Sequence, residues 1–171
     1  MMMDTAINTI KETAQPLGIT RVDYAYKKQK IGTIMSGLPR IGITVLPETI
    51  KEKKRKISRI VDEEQSHVTI RHKTHEVGLN LRLAVLAESQ DFVETFVRNF
   101  IVDMPSRITD TNNNTVAVTV QKAERQGYEK KIVKVRPVVE IGLYLTFTYI
   151  LFWDQVMPMI GEVKLHAEMG E

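Results

Sequence analysis

The chain has 171 residues and a net charge of +3, and its apolar and charged fractions are 43% and 26%. This length suits one domain with its own core, and the composition is that of a globular protein, which excludes the disordered and fibrous classes. The chain has no cysteine, which excludes thiol nucleophiles, disulfides, iron–sulfur clusters and cysteine-based zinc sites.

The N-terminal part combines short regular elements with polar stretches. Residues 4–14 predict a short helix with Asp4 or Thr5 as its N-cap, since their apolar positions fall on one face. Residues 19–35 predict an extended pair or a surface loop, and residues 41–45 alternate as a short strand does. The start of the chain has neither the basic leader nor the apolar core of a secretory signal, so we expect a cytoplasmic product.

The most charged stretch of the chain, 47–66, has only a weak apolar stripe at helical spacing. It predicts a charged insertion that forms either a solvated helix or an extended arm. At the other end, 154–171 holds four acidic residues and one lysine, a net charge of −3. We therefore expect an acidic C-terminal tail.

Two long alternating strands that bracket one amphipathic helix form the clearest pattern. Residues 67–73 predict a strand that leads into a long one at 76–87, and residues 139–151 alternate in the same way. Between them, Ser89 is a candidate N-cap, and a polar turn precedes a strand at 116–120. The predicted helix carries apolar residues in two rows: Phe92, Val93, Phe96, Val97, Phe100 and Ile101.

These elements predict one α+β domain over 1–171, with a mainly antiparallel, mixed β-sheet and helices packed on one face. The most apolar run, 143–153, alternates as a strand does and is shorter than the roughly 20 residues that span a bilayer. We therefore expect no membrane role.

Three histidines, His67, His72 and His75, lie within nine residues. Zinc usually takes four ligands, and on an extended chain His72 and His75 would face opposite sides. Exposed strand histidines are therefore favoured over a metal site.

The sequence gives little support for a catalytic site. The acidic group Asp62, Glu63 and Glu64 stands beside basic residues in a polar stretch, which favours a solvated turn over an acid–base pair. The chain has no G-x-S-x-G elbow and no G-x-x-x-x-G-K phosphate loop. We expect no enzymatic activity and no cofactor.

The first candidate contact surface is a basic cluster that comprises Lys51, Lys53, Lys54, Arg55, Lys56 and Arg59. Acidic residues flank it and no aromatic stacking platform accompanies it, so a solvated face or a salt-bridged inter-subunit arm is favoured over phosphate contacts with nucleic acid. Trp153 lies in an aromatic strand end, where core packing is favoured over a partner contact. The candidate inter-subunit or partner contacts are Lys51, Lys53, Lys54, Arg55, Lys56, Lys130, Lys131 and Trp153.

Four segments give the element order a likeness to a known family. They are PRIGITVLPE as a first core strand, EVGLNLRLAVLAESQDFVETFVRNFIVDMP as strand plus helix, TVAVTVQKAE, and RPVVEIGLYLTFTYILF as a last aromatic strand. This order resembles that of the tail terminator proteins of tailed bacteriophages, over roughly residues 4–152. The likeness is one of pattern and carries no diagnostic motif.

The resemblance implies a virion structural protein of the tail or neck, made in the host cytoplasm. Its partners would be further copies of itself in a hexameric ring, the tail tube protein and the head–tail connector proteins. The tail sheath and DNA in the lumen are further candidate partners. The ring would end tube polymerisation and provide the docking surface for the connector. The alternatives are another neck or baseplate component of a contractile phage tail and a basic nucleic-acid-binding module.

Overall fold

The computed structural model describes residues 2–24, 37–62, 64, 67–125 and 138–159. Helix α1 spans Met2–Ala14, a 3₁₀ turn follows at Gln15–Leu17, and helix α2 spans Gln90–Asp103. The strands are β1 Arg21–Tyr24, β2 Arg40–Val45, β3 Thr49–Asp62, β4 His67–Ala87, β5 Arg107–Thr109, β6 Thr115–Arg125 and β7 Val139–Pro158.

The seven described strands form one sheet in the order β1-β2-β4-β7-β6-β5, and β3 also pairs with β4. The β1–β2 pair is parallel, whereas β2–β4, β5–β6 and β6–β7 are antiparallel. The sheet is therefore mixed and mostly antiparallel. This confirms the prediction of a single α+β domain.

Alternation along the strands decides which face of the sheet is buried. The side chains at Leu79, Leu81, Leu83 and Val85 on β4 are buried in one cluster with those of the neighbouring strands. The cluster also contains apolar residues of both helices, so both helices pack on the same face of the sheet. Their buried apolar residues are Ala6, Ile10 and Ala14 of α1 and Val93, Phe96, Val97 and Phe100 of α2.

Both predicted helices form, with small differences at their ends. Helix α1 begins at Met2, two residues before the predicted start, and Gly18 follows the 3₁₀ turn at φ 100°, a conformation that glycine adopts without strain. Ser89 caps α2, since its side chain accepts a hydrogen bond from the backbone N–H of Phe92 at 3.3 Å. Ile101, predicted to belong to the apolar face, is 40% exposed.

The charged stretch 47–66 contains the largest departure from the sequence-based expectation. Residues 49–62 form strand β3, so the helical alternative is wrong and the extended one is correct in its backbone conformation. Strand β3 pairs with β4, whose two predicted pieces form one 21-residue strand.

Strand β7 continues to Pro158, so the first residues of the predicted acidic tail belong to a strand. Residues 160–171 of that tail, the loop at 126–134, and most of the predicted extended pair at 19–35 lie outside the described residues.

The chain has two compact units, which differ in their buried content. The first comprises 1–50 and 77–149 and contains every residue of the core cluster. The second comprises 51–76 and 150–171, and Val68 is the one buried apolar side chain among its described residues. Within the part of the chain that the structure describes, neither helix has the length and apolar character needed to cross a bilayer.

Candidate functional site

The predicted contact residues of the basic cluster lie on β3, in the second unit. Lys51, Lys53, Lys54 and Arg55 are all exposed. Lys56 is in the same strand, but its side chain lies outside the described part, as do Lys130 and Lys131 altogether. Five cationic residues therefore follow one another within six positions of a strand that pairs with β4 on one side.

Two of these lysines form ion pairs with neighbouring carboxylates. Lys53 Nζ donates to Glu76 Oε2 at 2.9 Å, and Lys54 Nζ lies 2.9 Å from Glu52 Oε1. The hydrogen bond from Lys54 lowers the pKa of Glu52, and the same contact raises the pKa of Lys54. The hydrogen bond from Lys53 likewise lowers the pKa of Glu76. These pairs are exposed, so each contributes little to stability.

A second ionic contact joins β4 to β7 within the same unit. The Arg71 guanidinium donates from Nε and Nη2 to the two carboxylate oxygens of Asp154, both at 2.8 Å. This two-pronged bond lowers the pKa of Asp154 and raises the pKa of Arg71. The Arg71 guanidinium also lies 5.3 Å from the centre of the Phe152 ring. Asp154, counted in sequence as part of an acidic tail, is thus a strand residue with a fixed partner.

Trp153 occupies a surface position, and the expectation that it packs in the core is wrong. Its side chain is 56% exposed, and Phe152 beside it is 36% exposed. The Trp153 ring packs against the imidazole of His72, with ring centroids 5.3 Å apart. Alternation predicts burial only where a strand crosses the core. The last residue of β7 in the core cluster is Phe147, so Phe152 and Trp153 lie beyond the core.

The strands of the second unit together form a shallow cleft of about 350 Å³. Three cations, one imidazole, one hydroxyl and one indole line it: Lys54, Arg55, His72, Lys73, Thr74 and Trp153. The Thr74 hydroxyl donates to the Leu151 carbonyl at 3.1 Å, which ties β4 to β7 at the cleft. Nε2 of His72 is buried and has no hydrogen-bond partner among the described residues.

The cleft corrects one argument made from sequence. The basic cluster was expected to have no aromatic neighbour, but strand pairing brings Trp153 beside Lys54 and Arg55. Nearly a hundred residues separate the two segments in the chain. No local pattern signals the contact. Only the order of the strands, with β4 between β3 and β7, would have suggested it.

The other sequence candidates do not converge on a reactive site. His67 is exposed, while His72 and His75 are half-buried on β4. Asp62 ends β3 and Glu64 is exposed in the following turn, whereas Glu63 lies outside the described residues. In the described ranges, no group of three or more His, Asp or Glu side chains is arranged to hold a metal ion.

The helix-free face of the sheet in the first unit carries a satisfied polar network. Gln121 donates to the Thr146 hydroxyl at 2.7 Å, and Thr146 donates to the Asn80 side-chain oxygen, also at 2.7 Å. Asn80 in turn donates to the Pro47 carbonyl at 2.8 Å. Because these described groups satisfy one another, the network itself offers a ligand few unpaired donors or acceptors.

Large exposed apolar side chains are concentrated in the second unit. This unit is built from strands with one buried apolar residue, so its apolar side chains have little to pack against. The exposed set in the unit is Ile60, Val61, Leu151, Phe152, Trp153, Val156, Met157 and Met159. Contiguous exposed apolar patches are typical of interaction surfaces.

Neither a model of a protein family nor a curated protein matches this chain. The second unit thus combines two features in its described residues: a cationic cleft with an exposed indole, and a run of exposed apolar side chains on paired strands. Both are suited to binding another macromolecule through its surface.

Proposed function

We propose that this chain is a structural protein of a bacteriophage tail, a tail terminator that caps the tail tube as a hexameric ring. The ring ends polymerisation of the tube and provides the docking surface for the head connector. Subunit association alone supplies the energy, and no enzymatic step is involved. The partners are further copies of this chain, the tube protein and the connector.

The observation that carries this proposal is the exposed apolar surface of the second unit. Eight large apolar side chains are exposed there, against a single buried one, Val68, among the described residues of the unit. Burying apolar area contributes about 25 cal/mol per Å², so covering such side chains favours association. Exposed apolar patches are typical of interaction surfaces, and an assembly subunit needs such a surface.

The strand edges of the sheet add a second argument. Strand β3 has 14 residues and pairs only with β4 among the described strands. An unpaired edge presents N–H and C=O groups on which another chain can add. Contacts between unlike edges of identical subunits form a ring when the rotation between neighbours closes. Lysines on an edge strand oppose non-specific pairing with the strands of other proteins. The lysines of β3 therefore favour a partner with complementary charge at this edge.

The element order is consistent with the family whose pattern the sequence resembles. A helix, a first core strand, a charged stretch, a strand followed by a helix, and two closing strands occur in this order within one α+β domain. The same small fold suits another component of the neck or of a baseplate, which is the first alternative. Images of assembled particles that carry a tagged copy of the protein would distinguish a position at the end of the tail tube from one elsewhere in the neck or in a baseplate.

The mass of the purified protein tests the proposal directly. Light scattering after size exclusion, with and without the candidate tube protein, is expected to show a ring of about six copies, alone or on the tube. A protein that stays monomeric with tube protein present would refute the ring.

A charge-reversal variant tests the role of β3 in assembly. Lys53, Lys54 and Arg55 are replaced together by Glu, which is expected to leave the fold intact, since all three are exposed, and to weaken ring or tail assembly. Arg98→Glu, an exposed position on α2, is the control and is expected to assemble normally. Normal tails from the triple variant would remove β3 from the assembly surface.

A further inference from the structure

The described lining of the cleft in the second unit is cationic and contains no carboxylate. Lys54, Arg55 and Lys73 are the three cationic residues that line this shallow cleft of about 350 Å³. Such a group of cations is suited to an anion, and a guanidinium beside two ammonium groups suits phosphate oxygens in particular.

Neighbouring carboxylates form ion pairs with two of these cations. Glu52 lies 2.9 Å from Lys54, and Glu76 lies 3.6 Å from Lys73 and 2.9 Å from Lys53. The Lys54–Glu52 pair is exposed and therefore weak, so a phosphate can compete for Lys54. Arg55 appears in none of the ion pairs of the described residues and is available to a ligand.

An aromatic ring stands beside the cations. Trp153 packs against His72, yet 56% of its side chain is exposed, so part of the indole remains open to a planar ligand. The buried Nε2 of His72 lacks a hydrogen-bond partner among the described residues, and an oxygen of a bound ligand would satisfy it. A cleft that combines phosphate-binding cations with an exposed indole matches the two halves of a nucleotide.

We propose that this cleft binds one nucleotide unit of a single-stranded nucleic acid. Lys54, Arg55 and Lys73 bind its phosphates, and the base stacks on Trp153. A duplex cannot use the indole in this way, because its bases are already stacked on one another. An acidic peptide supplies the charge but no planar ring for Trp153. This site goes beyond the assembly role and does not depend on it.

The single tryptophan of the chain makes the site directly observable. Titrating the full-length protein with a short oligothymidylate is expected to quench the Trp153 emission to saturation. Because three cations contact phosphates, the logarithm of the association constant should fall with the logarithm of salt concentration with a slope of roughly −2. Thymidine monophosphate and inorganic phosphate, titrated separately, distinguish a free nucleotide from a strand and from phosphate alone.

Single substitutions separate the contribution of base stacking from that of the phosphate contacts. Binding is followed by the anisotropy of a labelled oligothymidylate. Trp153→Ala is expected to weaken binding by about fivefold or more through lost stacking. Arg55→Gln is expected to weaken binding and to reduce the salt slope by about 0.7. Lys51→Gln is the matched control, since Lys51 is exposed on the same strand and does not line the cleft. Circular dichroism checks that each variant is folded.

Several results would overturn the proposal. They are no quenching by the oligothymidylate, equal binding of duplex DNA and single strand, quenching by polyglutamate at the same concentration, or saturation by inorganic phosphate alone. Equal losses in Arg55→Gln and Lys51→Gln would also overturn it, because they would indicate a diffuse charge effect. Ring formation is measured separately by mass, so its failure leaves this test unaffected.

Discussion

Single side chains fix the turn between β5 and β6. The Asp110 carboxylate accepts hydrogen bonds from the backbone N–H groups of Asn112 and Asn114, both at 2.8 Å, and from the Asn114 side chain at 3.2 Å. Asn113 in this turn has φ 60°, a conformation that asparagine tolerates. The run TDTNNNT predicts a polar turn here, and these bonds are the physical reason that it forms.

Asp110 also makes the stability of the domain depend on pH. Partial burial raises its pKa, but the hydrogen bonds from Asn114 and Asn112 outweigh burial and hold the pKa below the usual 3.8. A lowered pKa in the folded state stabilises the protein above the usual pKa, and this contribution is lost as pH falls through the folded-state value. We expect Asp110→Asn to lower the free energy of unfolding by about 1 kcal/mol at pH 7.

Urea unfolding of Asp110→Asn and the unmodified protein, at pH 7 and near pH 3, measures this effect. The difference between the two proteins should shrink at the lower pH, because acid below the usual pKa of 3.8 begins to protonate the Asp110 carboxylate. Asp103→Asn, at the exposed C-terminal end of α2, is the control and should not destabilise. A difference that stays constant with pH would contradict a role for the charge.

The candidate site was only partly predictable at the scale of single residues. Lys54, Arg55 and Trp153 all follow from sequence as candidate contacts, and all three line the cleft. His72 and Lys73 were not selected for this role, because a half-buried imidazole or ammonium on a long strand has no local signature. Their importance arises from packing across strands, against Trp153 in the case of His72.

At the scale of elements, helix α2 is the clearest match between pattern and packing. Phe96 and Phe100 are buried in the core cluster with ring centroids 5.6 Å apart, and Val102 on the same helix is 77% exposed. We expect Phe96→Asp to unfold the domain, since it places an unpaired charge among apolar side chains. Thermal unfolding followed by circular dichroism measures this.

Val102→Asp is the matched control for that substitution. It introduces the same charge on the same helix at a position already in solvent, so we expect its melting temperature to stay within a few degrees of the unmodified value. An unchanged melting curve for Phe96→Asp would contradict the assignment of the buried face of α2.

Strand β3 shows why charged strands escape prediction from sequence. Its KEKKRK run lacks the apolar alternation of a half-buried strand, because the strand carries exposed side chains and lies outside the core cluster. Pairing with β4 supplies its conformation, and pairing is not a property of the segment itself. Strands β2, β4, β6 and β7 cross the core and were all predicted from their alternation.

At the scale of the whole molecule, the two units differ in what stabilises them. The first contains the core cluster of both helices and of strands β2, β4, β6 and β7. The second relies, in its described residues, on strand pairing, Val68, and surface contacts such as that of Arg71 with Asp154. Surface contacts contribute little compared with apolar burial, so the second unit should open more readily than the first.

Strand β4 offers an internal comparison of the two units, because residues 67–76 belong to the second and residues 77–87 to the first. We expect the amides of 79–86 to exchange with solvent deuterium only on global unfolding. Those of 68–76 should exchange at least about tenfold faster, through a local opening that costs less free energy. Hydrogen exchange measured on peptides from each part of the strand tests this in the isolated protein.

The same measurement on the assembled protein connects stability to the proposed role. If partners cover the exposed apolar side chains of the second unit, protection of 68–76 and 150–158 should rise on assembly, while that of 79–86 stays as it was. Protection of 68–76 already equal to that of 79–86 in the isolated protein would contradict the lower stability of the second unit. Unchanged protection on assembly would place the partner contact elsewhere on the protein.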